Sequence, residues 1–311
     1  MNFSAADASA LSCTDWRGWS AHRIAPLLDR EARRWADDLH WDQRWTFTRL
    51  EEAREDGRLP GAVASNDVGD AKAWTYFLRH LDQFQVGTVV SESVEATNAL
   101  VSHALASPLA EGASVVVFTP DAPGLTDALT SHGVRTEPYD YLVRDLPISG
   151  PQRGLGAIRP LDPVADADAV AALLGEAYRG TTFVRPFVPG GEPDEWSRYV
   201  RQLIDTRGCG EFLPAASVLA MDLAAGGAVD GAVLATTLSH DTGHVAQVAV
   251  ASHARGRGLA RELLEASLQA CAMSGLTRVT LLVARTNVSA RAVYAGLGFQ
   301  SVGTFLAGLR P

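Results

Sequence analysis

Two apolar runs, SVVVFT at 114–119 and RVTLLVA at 278–284, constrain the fold of this chain more than any other feature. Each is a short block of β-branched and aliphatic residues, the pattern of a strand buried on both faces. Each also stands between two helical stretches, and around them the order of elements repeats. Upstream, polar and Trp-rich helical material (REARRWADDLHWDQRW) is followed by strand-like GAVAS, AWTYFLRHL and FQVGTVV. Next come a helix at VEATNALVSHALASPL, the first apolar run, a helix at GLTDALTSHG and a closing strand at YDYLVRDL. Downstream, a helix within IRPLDPVADADAVAALLGEAYRG has aspartates suited to capping its start. A second helix follows at EWSRYVRQLID, then strands SVLAMDL, GAVLATTLSH and HVAQVAVA, and a helix from about Gly256 to Met273. The second apolar run, helix SARAVYAGLG and strand FQSVGTFLAGL complete the series. The two series superpose with Val250 on Val90, TLLVA on VVVFT and Gly298 on Gly133. Pro, Gly and Ser collect at 145–156 (DLPISGPQRGLG), which reads as a linker. The expectation is a duplicated α/β (α+β) chain with domains at 1–148 and 155–311.

Composition narrows the function. The net charge of −9 opposes a general binder of nucleic acid or anionic membrane, which needs a broad basic surface. A local anion pocket is still allowed. Cys13, Cys209 and Cys271 are scattered, so no disulfide framework or zinc spacing is present, and no metal is expected. The first residues lack a signal peptide's basic start and apolar core, and no apolar run approaches the roughly 20 residues needed to span a bilayer. The expectation is a cytoplasmic protein with no membrane association.

The stretch HVAQVAVASHARGRGLARELL, at 244–264, carries the chemistry. A strand-like run ends in two arginines alternating with two glycines, directly before a helix. The first amides of that helix have no partner within it, and they carry the positive end of its dipole. Gly256 and Gly258 allow close approach, Arg255 and Arg257 add charge, and together they suit a pyrophosphate. A P-loop would need Gly-Lys-Ser/Thr, which is absent, and a dinucleotide fingerprint would need glycine where Arg261 stands.

What does fit is Gln/Arg-x-x-Gly-x-Gly/Ala, met by Arg255, Gly258 and Ala260. With TNVSARAVYAGLGF at 286–299, the sequence resembles the GNAT superfamily, the GCN5-related N-acetyltransferases, over about residues 155–311. The resemblance implies two tandem GNAT-like domains, each a mixed, mostly antiparallel twisted sheet flanked by helices. It implies acetyl-CoA as acyl donor, with its pyrophosphate held by Arg255, Gly256, Arg257, Gly258, Leu259 and Ala260. Its pantetheine arm would lie along the main chain of Val248, Ala249 and Val250. Asn287 would cap the last helix, with a place beside the cofactor, Gly298 would end it, and Tyr294 would protonate the departing thiolate.

The base is less clear. The strand at 281–284 offers no carboxylate, whereas His244 stands at the spacing from Arg255 that the base occupies in relatives. His244 is therefore a base or relay candidate, or a plain histidine at the start of a strand; His240 and Asp241 are weaker candidates. In the long loop RGTTFVRPFVPGGEPDEWSRYV, the residues Phe183, Phe187, Trp196 and Tyr199 suit an apolar acceptor wall, and Arg185 suits a carboxylate. Upstream, Glu95, Asn98, Leu100 and Leu129 fall where Arg255, Gly258, Ala260 and Tyr294 stand. That half is expected to be a degenerate GNAT-like domain without a coenzyme A motif, completing the fold, walling the acceptor pocket, or doing neither. The expected activity is acetyl transfer to a primary amine, of a small molecule, by direct attack in a ternary complex, the protein being a monomer or homodimer. The rivals are a non-catalytic acyl-CoA binding or sensing module and a peptide or protein N-terminal acetyltransferase.

Overall fold

A computed structural model describes residues 11–146, 158–181, 183, 186–206, 208–222 and 228–311. The expected linker therefore lies outside the described residues except for 145 and 146. The chain forms two compact units. Within the described residues, unit one runs to Arg34, continues over Gln43–Pro138 and takes in Thr304–Pro311. Unit two comprises Trp35–Asp42 and Tyr139–Gly303.

Unit one opens with β1 (Ser12–Asp15), α1 (Ala21–Asp38, whose last turn belongs to unit two) and α2 (Arg44–Glu55). It continues through β2 (Gly61–Ser65), β3 (Ala71–His80), β4 (Gln83–Ser91), α3 (Val94–Leu105), β5 (Ser114–Pro120) and α4 (Leu125–Ser131). The sheet order is β1-β2-β3-β4-β5, antiparallel except between β4 and β5. The first apolar run is β5, with Val115, Val116 and Val117 all buried. Its outer neighbour comes from the far end of the chain, where Phe305–Arg310 pairs antiparallel with it. Phe77, Phe84, Leu100, Leu125, Leu129 and Leu306 close the core over this face.

Unit two contains β6 (Arg135–Asp145, from Tyr139 on), β7 (Ile158–Pro160), α5 (Ala167–Tyr178), α6 (Pro193–Asp205), β8 (Glu211–Phe212) and β9 (Val218–Asp222). It ends with β10 (Ala228–Thr237), β11 (Thr242–Val250), α7 (Leu259–Met273), β12 (Arg278–Ala284), α8 (Val288–Gly296) and β13 (Gln300–Arg310), the last crossing into unit one. Its sheet runs β6-β12-β11-β10-β9-β7, with β8 on β10, and β11 is parallel to β12. Side-chain alternation along β10 separates two cores. Val233 and Ala235 join Leu263, Leu264, Leu268 and Leu281 under α7 and α8. Ala232 and Leu234 join Leu173, Leu174, Trp196 and Val200 under α5 and α6.

Two expectations about the elements need correction. Asp166 precedes α5 without capping it through its side chain. Its carboxylate instead grips Arg159 at 2.7 and 2.8 Å and accepts the Asp162 N–H. The compact units also do not divide at the linker, because the last strand of each half completes the sheet of the other unit. Among the described residues, no helix is long and apolar enough to cross a membrane.

Candidate functional site

In unit two the parallel pairing of β11 with β12 runs from Thr242↔Arg278 to Val245↔Leu281 and then stops. On its other side, β11 stays paired with β10 as far as Gly231↔Val250, across a register shift. Past Val245, one edge of β11 is therefore open toward β12. Ala251 N–H bonds Asp230 O at 2.8 Å, so Ala249 turns its main chain toward β10 and Val248 and Val250 turn theirs toward the opening. The Arg255 guanidinium confirms that direction by bonding Val250 O at 3.1 Å.

The turn after β11 leads straight into α7. Gly256 and Gly258 adopt φ of +76° and +87°, a region other residues occupy only under strain, and no atom lies within 4 Å of where a Cβ would sit. The residue before α7 is Gly258, and no side chain caps the helix. The first bonds to a carbonyl at this end are those of Arg261 and Glu262 N–H to Gly258 O, so the amides of Leu259 and Ala260 have no helical acceptor. Arg257 is exposed, with no ion pair or side-chain hydrogen bond among the described residues. Arg255 differs from expectation. Its guanidinium does not face outward as a free charge but ties Val250 O to Ala177 O, the latter at 3.1 Å. Glu176 joins it by accepting the Ser252 N–H at 3.0 Å and its hydroxyl at 2.7 Å, which holds the carboxyl below the usual range. The C-terminal end of α5 thus fixes the turn, a link that local sequence does not carry.

Unit one offers a contrast at the corresponding place. There, β4·β5 pairing also stops, after Val86↔Val117. However, the Val89 N–H bonds Thr119 Oγ1 at 3.0 Å, and the Tyr76 ring lies where a Cβ on Gly87 would stand. Ser93 caps α3 by accepting the Ala96 N–H at 3.2 Å, and Glu95 adds negative charge to its first turn.

The helix α8 carries Tyr294, which is 8% exposed and set edge-on to Phe299. Burial raises its phenol above the usual value, and the neighbouring Tyr178 adds to the shift. Asn287 caps α8 by accepting the Ala290 N–H at 3.2 Å, and Gly298, at φ +82°, lies just past its end. Close by is a group the motifs do not mark. Tyr178, the last residue of α5, donates to Gln247 Oε1 at 3.1 Å, and Gln247 Nε2 donates to Tyr199 at 2.7 Å. The available signal was a single polar residue inside the apolar run HVAQVAVA.

The loop residues divide. Trp196, 3% exposed, is part of the core, stacked on Tyr178 at 5.2 Å and edge-on to Tyr199. Phe187, 57% exposed, stacks on Tyr199 at 6.1 Å. Phe183 is half-buried, and Arg185 lies outside the described residues.

His244 needs a clear correction. It is 3% exposed, between Trp41 at 5.9 Å and Tyr141 at 6.4 Å, with Nδ1 2.8 Å from Thr280 Oγ1. Desolvation lowers its pKa to about 4. A ring so buried and so weakly basic is poorly suited to take a proton from an alkylammonium. Of the two weaker candidates, His240 is exposed and Asp241 is engaged with Ser239 and Thr242 hydroxyls at 2.8 and 2.9 Å.

Comparison with known proteins agrees with this geometry. Residues 178–299 match the model of the acetyltransferase (GNAT) family. A GCN5-related N-acetyltransferase from Sphaerobacter thermophilus superposes with a TM-score of 0.58 at 20% identity, covering 80% of both chains. A tandem GNAT protein from the clavulanic acid biosynthesis pathway gives 0.57 at 14% identity, over 97% of this chain and 98% of that one. A Drosophila protein gives 0.54 at 14% identity with the same coverage. No curated protein matches the chain by sequence.

Proposed function

We propose, from the premise that residues 178–299 form a GNAT-family domain within a tandem GNAT fold, that the protein moves acetyl from acetyl-CoA to a primary amine of a small molecule. The observation that carries this reading is the continuity of two features. The open edge of β11, at Val248 and Val250, runs directly into a helix start with free amides and no capping side chain. An extended pantetheine arm can add to that edge as a strand would, and a diphosphate can take the amides of the turn and α7 with the charge of Arg257. Arg255 contributes by holding the turn's shape. Asn287 serves through α8, which it starts, and so places Tyr294.

The chemistry follows from that placement. Amides near Val248 polarise the thioester carbonyl, a neutral amine attacks it directly as the C–S bond breaks, and Tyr294 gives its proton to the sulfur and regains the one the nitrogen sheds. Tyr199, with Phe187 stacked on it, walls the acceptor side, Trp196 backs that wall, and Phe183 belongs to the loop before α6. Unit one holds no donor, since Ser93, Thr119 and Tyr76 occupy the corresponding amides and space. Purified protein with acetyl-CoA and a panel of primary amines, followed by release of free thiol, tests the reading. Amine-dependent thiol release with N-acetyl product is expected. Tight acetyl-CoA binding with release for no amine would make the protein an acyl-CoA sensor instead.

A further inference from the structure

The stretch that links β11 to α7 is held in shape by contacts that its own residues do not supply. Gly256 and Gly258 have no side chains to pack, and glycines lose more conformational freedom on ordering than other residues. Just before them, Ser252–Ala254 form a single 3-10 turn that is exposed at Ser252 and His253. Two neighbouring elements tie this stretch down. From β10, the Asp230 main-chain oxygen accepts the Ala251 N–H, and Asp230 Oδ1 lies 2.8 Å from His253 Nε2. From the end of α5, consecutive residues reach the same strand and turn. Tyr178 donates to Gln247 Oε1 at 3.1 Å, and the Ala177 carbonyl accepts from Arg255 at 3.1 Å. Glu176 Oε1 accepts both the Ser252 N–H at 3.0 Å and the Ser252 hydroxyl at 2.7 Å. Arg255 suits its place, because the end of a helix is the negative pole of its dipole. Glu176 does not fit a charge argument. The Ser252 bonds, helped by His253 and Arg179, hold its carboxyl below the usual range, so it is ionised at neutral pH. A carboxylate beside a turn that takes a diphosphate repels it, and Coulomb's law alone would favour a neutral residue there.

Resting on the acetyltransferase reading, we propose that Glu176 is a positioning residue for the acyl donor: it presets the turn through Ser252, and this outweighs the repulsion that its charge brings. The last turn of α5 then works as a splint along the donor's track. Tyr178 holds the strand, the Ala177 carbonyl holds the Arg255 guanidinium, and Glu176 holds the turn. A turn already in its bound shape leaves the ligand less disorder to remove, which raises affinity without adding a contact. The two possible roles of Glu176 differ in sign. If it acted as a local charge, removing it would tighten donor binding. If it positions the turn, removing its oxygen weakens binding, and an amide oxygen can replace it, because one oxygen takes both Ser252 bonds.

The test is the dissociation constant of acetyl-CoA for the full chain, by titration calorimetry at low and high salt. Glu176→Ala should bind about tenfold more weakly, the effect of leaving roughly one more backbone residue to be ordered by the ligand. Glu176→Gln should restore the parent's affinity and exceed it at low salt, where the lost repulsion counts most. Ser252→Ala keeps the amide and loses the hydroxyl, so its loss should be smaller, and adding it to Glu176→Ala should bring no further loss. With a reactive amine, the Glu176→Ala loss should appear in the acetyl-CoA KM and leave kcat unchanged. Binding by Glu176→Ala as tight as the parent's, equal losses in the Ala and Gln variants, or a kcat that falls as far as KM rises would each overturn the proposal. A parent that binds no acetyl-CoA would remove the acetyltransferase reading and this proposal with it. A parent that binds it, with Glu176→Ala its equal, would remove this proposal alone.

Discussion

The acid role proposed for Tyr294 requires a phenol that stays protonated, and burial and Tyr178 both raise it. Replacing it with Phe keeps the ring against Phe299 and removes only the donor. Tyr294→Phe should lower kcat on the order of 10²-fold while leaving acetyl-CoA affinity unchanged, as read by steady-state kinetics and titration calorimetry. A variant as fast as the parent would end the assignment. His244 makes a different prediction, about stability. Its folded pKa of about 4 lies below the ordinary 6.5, so between those values the unfolded chain binds the extra proton. The contribution is present above pH 6.5, is lost as pH falls toward 4, and amounts to about 3 kcal/mol at most. His244→Gln should flatten the fall of Tm across that window, whereas the depressed carboxylates, among them Asp15, Asp162, Asp166, Glu176 and Asp241, act at lower pH. The distance of His244 from Arg255 was legible in the chain. Its burial was not, because Trp41 and Tyr141, which cover it, lie far away in sequence.

At the scale of elements, α3 and α7 follow equivalent strands and begin in opposite ways. Ser93 satisfies an amide of α3 with its own hydroxyl, whereas Gly258 offers α7 none. Ser93→Ala should therefore cost unit one about 1 kcal/mol in thermal or urea unfolding without changing acetyl-CoA affinity. Arg257→Ala should do the reverse, weakening acetyl-CoA about tenfold at low salt, and less at high salt, with stability unaffected. Equal effects of both variants on binding would contradict the assignment of the anion site to α7 alone. The two glycines of the turn could be read from sequence because a positive φ is a local requirement. The work of Arg255 could not, since one of its acceptors is the carbonyl of Ala177, 78 residues before it. Tyr178 and Gln247 were missed for the same reason: a hydrogen bond between the end of a helix and a distant strand leaves no spacing in the chain.

On the scale of the whole chain, the repeat predicted two similar units, and each unit does have the expected strands and helices. What the repeat could not show is where the last strand of each half goes. Tyr139–Asp145 pairs with the full length of β12 in unit two, and Phe305–Arg310 pairs with β5 in unit one. A fragment of residues 155–311 therefore loses the partner of β12 along seven pairs, from Arg278↔Asp145 to Ala284↔Tyr139. It also loses Trp41 over His244, and it keeps a C-terminal strand with no β5 to receive it. Two unpaired edges flanked by apolar side chains are templates for aggregation. Expressed alone, this fragment should aggregate or be cut rapidly by protease, although it contains every motif residue. Supplying residues 1–148 as a separate chain restores both missing strands and should return protease resistance and acetyl-CoA binding together. A lone fragment that unfolds cooperatively and binds acetyl-CoA as tightly as the full chain would show that the exchanged strands are dispensable. If the N-terminal half has no donor site, as proposed, its retention has a physical reason: its closing strand, Tyr139–Asp145, pairs with β12, the neighbour of β11 in unit two.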